Sequence, residues 1–344
     1  MTAAAPSLMQ AEAMQAPAVA ARLLAAEAPA FAALGARWRA EPPAALLTVA
    51  RGSSDHAAQY FGYLAMARLG RLVTSLPPSV LTLYRARLQE RGLWAIAFSQ
   101  SGRSPDLVLP LQDLGARGAH TLALVNAADS PLAAAAQQHI ALHAGAERSV
   151  AATKSFIAQL VAAAALVAAW QQDAAFSAAL QALPQALQAA AAADWRAAIE
   201  PLRGAERLYV IGRGTGLAVA MEAALKLKEV CGIQAEAFSG AELRHGPIAL
   251  VEPGFAVLVL APPGPAQAGL LELAQALRGQ GARVLLAAPA GTPGAELPLA
   301  TSEHADLDPI CVAQSFYPLA EALARARGLD PDQPRHLHKV TLTR

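Results

Sequence analysis

The sequence lacks most of the features that mark secreted, metal-binding and nucleic-acid-binding proteins. Two of its 344 residues are cysteines, Cys231 and Cys311. They cannot form a disulfide framework and do not have the spacing of metal ligands, so a reducing cytosol suits the chain. Charged residues make up only 15% of the sequence and the formal net charge is +1. Without a long basic run, nothing favours nucleic acid as a partner.

Long apolar runs are also missing. The longest, at 156–170, is interrupted by Gln159 and has about 15 residues, whereas a helix that crosses a bilayer needs about 20. The first 24 residues lack the basic start and continuous apolar centre of a signal peptide. Much of the hydropathy comes from alanine. We therefore expect a soluble, cytoplasmic protein without a membrane partner.

The apolar residues, 55% of the chain, fall into two copies of one pattern. An apolar run at 45–50 precedes Arg-Gly-Ser-Ser and a helical pattern, and a run at 208–211 precedes Gly-Arg-Gly-Thr-Gly and another helical pattern. Aligning Arg51 with Arg213 gives an offset of 162 residues, which also brings the run at 93–98 onto 255–260. One offset that matches several elements indicates an internal repeat.

Each copy reads as strand, loop, helix, strand, loop, helix, strand. This alternation predicts parallel strands joined by right-handed crossovers, and hence an α/β protein with two tandem three-layer α/β/α sandwich lobes and mainly parallel sheets. The predicted parts are an N-terminal helical segment (1–40), a first lobe that binds the ligand (41–165), a helical linker (166–200), a second lobe (201–330) and a C-terminal active-site tail (331–344).

Two loops of the first copy are suited to an anion. The Arg-Gly-Ser-Ser sequence at 51–54 leads into a helix, so backbone N–H groups and the helix dipole can face a phosphate. The Ser-Gln-Ser-Gly-Arg-Ser sequence at 99–104 adds three hydroxyl donors. At the matching place the second copy has Ala-Pro-Pro-Gly, without hydroxyls and with two residues that lack N–H donors. The contrast favours a phosphate site over a simple turn, and the missing nucleotide motifs favour a sugar phosphate.

The second copy and the end of the chain carry ionisable residues. Glu222, Lys226 and Glu229 are spaced by four and three residues, so they share one helical face, and a solvated salt-bridge ladder is the alternative interpretation. His245 precedes Gly-Pro and therefore lies in a loop, where catalytic groups are common. Lys339 lies in a C-terminal segment that could equally be a docked tail.

In this order the motifs resemble the sugar isomerase (SIS) domain family. The resemblance is closest to the isomerase half of glucosamine-fructose-6-phosphate aminotransferase and to its deaminase relatives. Six segments carry it, at 51–54, 99–102, 150–154, 225–229, 240–247 and 332–341. The resemblance implies that the phosphate and the sugar hydroxyls are bound by Ser53, Ser54, Ser99, Gln100, Ser101 and Ser104, with Val150 near the sugar.

The resemblance also implies the catalytic roles. Glu229 would move a proton between C1 and C2, and His245 would open the pyranose ring. Lys339 would lie over the carbonyl carbon, and Lys226 or Lys339 could stabilise an enediolate-like charge. A histidine titrates near neutral pH, and each acid–base group typically contributes about 10²–10⁴-fold. In this family the histidine comes from a neighbouring subunit, so a homodimer is implied. No metal or organic cofactor is expected.

The sequence starts Met-Thr-Ala, and no segment of the size of a glutaminase domain precedes the first copy. We therefore expect deamination, in which glucosamine 6-phosphate and water give fructose 6-phosphate and ammonia. Arg103 and Ala152 replace the Glu and Ser that the synthase has near the sugar. These departures leave a galactosamine-6-phosphate deaminase or a fructosamine-phosphate deglycase as alternatives. A non-catalytic sugar-phosphate sensor is an alternative of another class, although a sensor would not need Glu229, His245 and Lys339 together.

Overall fold

The computed structural model describes residues 6–89 and 91–339. They form two compact units. The sheet-1 unit contains residues 18–147, 154–181 and 338–339, and the sheet-2 unit contains residues 6–17, 148–153 and 182–337. The last part of the predicted tail, 340–344, lies outside the described residues.

The α-helices range from 4 to 19 residues in length. In chain order they are α1 (Leu8–Ala13), α2 (Ala16–Ala26), α3 (Ala28–Ala40), α4 (Ser53–Leu69), α5 (Ser79–Thr82), α6 (Pro105–Ala116), α7 (Pro131–Ala135), α8 (Lys154–Gln171), α9 (Ala174–Ala191), α10 (Ile199–Arg203), α11 (Gly216–Cys231), α12 (Gln267–Gly279) and α13 (Asp308–Ala326). Short 3₁₀ turns occur at Arg196–Ala198, Glu242–His245 and Pro247–Leu250.

The strands are short, and most of their residues are buried. They are β1 (Ala45–Val49), β2 (Val73–Ser75), β3 (Leu93–Ser99), β4 (His120–Val125), β5 (Gln138–Ala141), β6 (Arg207–Gly212), β7 (Gln234–Ser239), β8 (Ala256–Leu260), β9 (Arg283–Pro289) and β10 (Leu297–Leu299).

The first sheet has the order β2-β1-β3-β4-β5, and every pairing is parallel. Its central strand β3 is buried along its whole length, which explains why it reads as one apolar run rather than an alternating one. In the register of the sheet, Leu47 of β1 lies beside Ala95 of β3. The strand order reverses between β1 and β3, and ligands bind at such a switch point, beyond the carboxyl ends of the strands.

The second sheet has the order β10-β9-β8-β6-β7, again with every pairing parallel. Counted within its own copy, this is the same strand order as in the first sheet. The repeat and the tandem α/β architecture are therefore confirmed. Each sheet has five strands rather than the three that the sequence predicted. The additional strands are β2, β5, β7 and β10, which lie at or next to the edges.

The helix α8 is the main helix of the sheet-1 unit. It packs against α3 and α4 within that unit. At 18 residues it is longer than the predicted run, and by length and composition alone it could cross a bilayer. However, 89% of its apolar window is buried inside the protein, as in the core helix of a globular domain. The approach to α3 is close, because a Cβ atom at Gly35 would collide with the backbone carbonyl of Ala169.

Candidate functional site

The two predicted phosphate loops follow β1 and β3, the strands on either side of the switch point of the first sheet. The helix α4 begins at Ser53, directly after Gly52. The φ of Gly52 is 54°, in the left-handed region that favours glycine. The second loop runs from the end of β3 at Ser99 to the start of α6 at Pro105. Both loops therefore deliver the first turn of a helix to one end of the sheet, where an anion is favoured.

The serine hydroxyls of the second loop are oriented by its own backbone. The N–H of Gly102 donates to Ser99 Oγ at 3.0 Å, and the N–H of Arg103 donates to Ser101 Oγ at 3.3 Å. A hydroxyl that accepts such a bond keeps its own O–H proton for another acceptor. Gly102 has a φ of 63°, and a Cβ atom there would collide with Ser130 Oγ. The turn is thus shaped to present hydroxyl donors.

An ion pair links the first loop to the start of the helix that follows the second loop. Arg51 Nε donates to Asp106 Oδ2 at 2.9 Å, where Asp106 lies in the first turn of α6. The Asp106 side chain is 3% exposed and that of Arg51 is 53% exposed. Sequence reasoning missed this pair, because the two residues are 55 positions apart and neither belongs to a recognised ligand pattern.

The predicted Lys339 ends in an ion pair with Glu147 in the sheet-1 unit. Its Nζ lies 3.1 Å from Oε2 of Glu147, whose side chain is completely buried. The same carboxylate accepts bonds from the backbone N–H of Ser155 at 3.1 Å and from its hydroxyl at 2.6 Å. Glu147 was not predicted, although it precedes Val150 by three residues. Lys339 is therefore held against a buried carboxylate that Ser155 keeps in place.

The charged face of α11 is buried, so the interpretation as a solvated ladder is wrong. Lys226 is 1% exposed, Glu222 2% and Glu229 20%. The Nζ of Lys226 lies 3.4 Å from Glu222 Oε1 and 2.5 Å from Glu229 Oε2. The hydroxyl of Tyr317 donates to Glu222 at 3.4 Å. Glu222, Lys226 and Glu229 thus form a buried triad of charged side chains in the sheet-2 unit.

The charge of Lys226 follows from these neighbours. Burial alone would lower the pKa of Lys226, but attraction to the carboxylates of Glu222 and Glu229, together with hydrogen bonds to both, outweighs burial and raises the pKa above its ordinary value. Lys226 is therefore a fixed cation near neutral pH rather than a base. It can hold the carboxylate of Glu229 in place and offset its charge.

Of the three triad residues, Glu229 reaches a cavity. The cavity has a volume of about 560 Å³ and lies within the sheet-2 unit, between the end of α11 and the segment at 328–337. Its polar lining comes from Lys228, Glu229, Asp330, Gln333 and Arg335. A carboxylate anchored on one side by a lysine and open to solvent on the other is suited to transfer a proton.

His245 and Val150 lie on two other segments of the sheet-2 unit. His245 ends the 3₁₀ turn at Glu242–His245 and is exposed, while Leu243 anchors this turn in the core. Val150 follows two residues whose backbone N–H groups, Arg148 and Ser149, donate to the carboxylate of Glu12 at 2.6 and 3.1 Å. A residue of α1 therefore holds this loop, which the sequence analysis did not foresee.

Within residues 6–89 and 91–339, no three His, Cys, Asp or Glu side chains come close enough together to hold a metal ion.

Comparison with known protein families gives one match, the SIS domain, at residues 43–169 and 201–306. The chain belongs to the SIS domain family. The two matched segments contain the two sheets, as the repeat predicts.

The relatives of this SIS-domain chain include glutamine–fructose-6-phosphate aminotransferase [isomerizing] of Aeropyrum pernix. The two are 36% identical over 319 residues, which is 86% of this chain and 50% of that protein. The chain spans about half the length of the curated relatives that it matches.

Two solved structures are similar along nearly the whole chain. A Silicibacter pomeroyi DSS-3 protein classed as a phosphosugar isomerase is 43% identical, with a TM-score of 0.90 over 95% of this chain and 100% of that one. Glucosamine-6-phosphate deaminase of Thermotoga maritima is 23% identical, with a TM-score of 0.79 over 98% of this chain and 100% of that one. At that identity the second likeness shows the fold alone.

Proposed function

We propose that this SIS-domain protein is a phosphosugar isomerase that converts glucosamine 6-phosphate and water to fructose 6-phosphate and ammonia. The observation that carries the proposal is the buried triad of α11, in which Glu229 is held by Lys226 and opens into a cavity. A protein that only binds a sugar phosphate has no need of a buried, lysine-anchored carboxylate. The names of two relatives, an isomerising aminotransferase at 36% identity and a phosphosugar isomerase at 43%, support sugar-phosphate isomerase chemistry.

In the proposed reaction the loops after β1 and β3 bind the phosphate. The donors to its oxygens are Ser53, Ser54, Ser99, Ser101 and Ser104, together with the backbone N–H groups at the start of α4. Bonds from hydroxyl and amide donors to a charged acceptor are about twice as strong as neutral ones. Gln100 and Val150 contact the sugar.

The chemical steps fall to the ionisable residues. His245 transfers the proton that opens the pyranose ring, which gives the aldehyde at C1. Glu229 then takes the proton from C2 and returns it to C1, so that C1 becomes an alcohol and C2 an imine. Water adds to C2, the C2–N bond breaks and ammonia leaves. Lys226 keeps Glu229 in position, and Lys339, held by Glu147, stabilises the negative charge that develops on the carbonyl oxygen.

The same residues are compatible with galactosamine 6-phosphate or a phosphorylated fructosamine, because Arg103 and Ala152 change the neighbourhood of the sugar. We propose that the protein acts as a homodimer. In this family the histidine that matches His245 enters the active site of the neighbouring subunit, and His245 lies in an exposed loop that could do the same.

Ammonia release from glucosamine 6-phosphate tests the proposal. Purified wild-type protein is expected to release ammonia in proportion to the fructose 6-phosphate that it forms. Glu229→Gln is expected to lose at least 10²-fold in kcat, because the amide cannot carry the proton, while calorimetric binding of fructose 6-phosphate stays within about twofold. Glu272→Gln, on the exposed face of α12, is the matched control.

Three other outcomes would change the conclusion. Binding without ammonia release would leave the sensor as the better description. Faster turnover of galactosamine 6-phosphate or a fructosamine 6-phosphate would identify that compound as the preferred substrate instead of glucosamine 6-phosphate. A wild-type rate in Glu229→Gln would remove this residue from catalysis.

A further inference from the structure

The ion pair between Arg51 and Asp106 goes beyond the family roles described above. It joins the loop after β1 to the first turn of α6, the helix that follows the loop after β3, so it spans the switch point of the first sheet. We propose that Arg51 is itself a phosphate-binding residue, oriented by Asp106, and that it makes the site selective for a dianionic phosphate monoester. This inference rests on the proposed sugar-phosphate function.

The ion pair uses one edge of the Arg51 guanidinium group and leaves the other edge for a phosphate. Asp106 binds Nε, which is one edge of the guanidinium group. The two Nη groups on the other edge carry four further N–H donors, and half of the side chain is exposed. A planar guanidinium held along one edge can offer its other edge to two oxygens of a phosphate.

The state of Asp106 supports a functional origin. Its side chain is 3% exposed, Oδ2 binds Arg51, and Oδ1 has no hydrogen-bond partner within the described residues. A carboxylate in the first turn of a helix contributes about 0.3–1 kcal/mol by itself. That role does not require an arginine from another loop. Buried ion pairs are often no more stable than an apolar pair of the same size, so stability alone does not account for the arrangement.

The charges explain why the arginine is needed. Asp106 places a negative charge next to the loop whose hydroxyls are to bind a phosphate, and this charge alone would repel the ligand. Arg51 offsets that charge and adds donors. A site with this cation binds a dianion better than a monoanion. Because the second pKa of a phosphate monoester is about 6, the affinity of the wild-type protein should fall about fourfold between pH 7.5 and pH 5.5.

The test compares variants of the full-length protein by calorimetry with fructose 6-phosphate at pH 7.5 and pH 5.5. Arg51→Met alone would leave a buried, uncompensated carboxylate and could unfold the protein. The informative variant is therefore R51M/D106N, which removes both charges. The matched control is R117M/D113N, which removes an exposed pair from the other end of α6.

R51M/D106N is expected to bind fructose 6-phosphate about 10- to 100-fold more weakly at pH 7.5, since bonds to charged groups contribute about 1.5–3 kcal/mol. Its affinity should change less between the two pH values than that of the wild-type protein. Arg51→Lys should recover part of the affinity and of the pH dependence. The control variant R117M/D113N should match the wild-type protein in both its affinity and the pH dependence of that affinity. The other ionisable side chains of these loops and of the first turn of α4 are Asp55, His56 and Arg103. They are unchanged in every variant, so a difference between the pH profiles is caused by the loss of Arg51 and Asp106.

The outcomes separate this inference from the proposed function. If R51M/D106N is folded by circular dichroism and binds as tightly as the wild-type protein, or keeps its pH dependence, the role of Arg51 is refuted while the deaminase proposal stands. If the wild-type protein binds the sugar phosphate but releases no ammonia, the deaminase proposal fails and the role of Arg51 is still measured. If the wild-type protein binds neither fructose 6-phosphate nor glucosamine 6-phosphate, both are overturned.

Discussion

Replacing Lys226 with methionine removes the cation that lies between two carboxylates on α11. Methionine has a similar length and helix propensity, so the change acts mainly on charge. Glu222, at 2% exposure, is then left as a buried charge without its counter-ion. Removing one partner of a buried ion pair typically costs about 3–5 kcal/mol. For a domain of about 150–250 residues, this corresponds to a fall in Tm of about 6–20 °C, at about 2–4 °C per kcal/mol.

The pH dependence gives a second check with a defined sign. Since the pKa of Lys226 is raised in the folded protein, its stabilising contribution is complete below its ordinary pKa of 10.5 and is lost only as the pH rises through the folded value. The contribution of the Lys226 charge to stability should therefore be constant between pH 6 and 9. In Lys226→Met the buried Glu222 can become neutral by taking up a proton, so the loss of stability should be smaller at pH 5 than at pH 8.

The assay is urea unfolding followed by circular dichroism and by tryptophan fluorescence. The fluorescence comes from Trp195 in the sheet-2 unit and from the three tryptophans of the sheet-1 unit. Lys228→Met is the control, because Lys228 is exposed and donates to the carbonyl of Ala235 at 2.9 Å; it should cost about 1 kcal/mol or less. The double variant E222Q/K226M should regain part of the stability. If Lys226→Met lies within about 1 kcal/mol of the wild-type protein at pH 8, the triad is not an energetically coupled, buried unit.

Two further predictions concern packing and thiol chemistry. Gly35→Ala should lower the free energy of unfolding by about 1–3 kcal/mol, or more, in urea unfolding, because its Cβ would collide with the carbonyl of Ala169. Gly279→Ala is the control and should be neutral, since Gly279 has open space around it. An equal loss of stability in both variants would contradict the packing argument. Burial raises the pKa of Cys231 to about 12 and raises that of Cys311 as well. Neither thiol should therefore react with Ellman's reagent at pH 8 until the protein is unfolded in guanidinium chloride, when two equivalents of thiol should appear. Rapid reaction of the native protein would show that the two thiols are accessible to the reagent.

The strands that the sequence predicted are those that are buried on both faces. β3 and β8 read as unbroken apolar runs because helices cover both sides of a parallel sheet. β2 has three residues, and β7 carries Gln234 and Glu236 at exposed positions. Edge strands such as these are short or partly solvated, so a search for apolar runs does not find them.

The site was foreseeable where it depends on local sequence and not where it depends on long-range pairing. Hydroxyls and glycines between a strand and a helix indicate an anion site in any such fold. In contrast, the spacing of Glu222, Lys226 and Glu229 fits a buried triad and an exposed ladder equally well, and only packing decides. Asp106 and Glu147 bind residues 55 and 192 positions away, a separation at which a single sequence carries no pairing signal.

The short helix α1 is fastened at three points. The backbone N–H groups of Leu8 and Met9 donate to the carboxylate of Asp332, at 2.7 and 2.9 Å, and the amide of Gln314 donates to the carbonyl of Ala13 at 3.1 Å. The third attachment is through Glu12 of α1, whose carboxylate accepts hydrogen bonds from the two backbone amides that precede Val150. Deleting the residues through 13 would therefore remove hydrogen bonds at two distant places. The two backbone amides that precede Val150 and the carboxylate of Asp332 would lose their partners at the same time, so a change near the N-terminus would affect a segment more than 300 residues away.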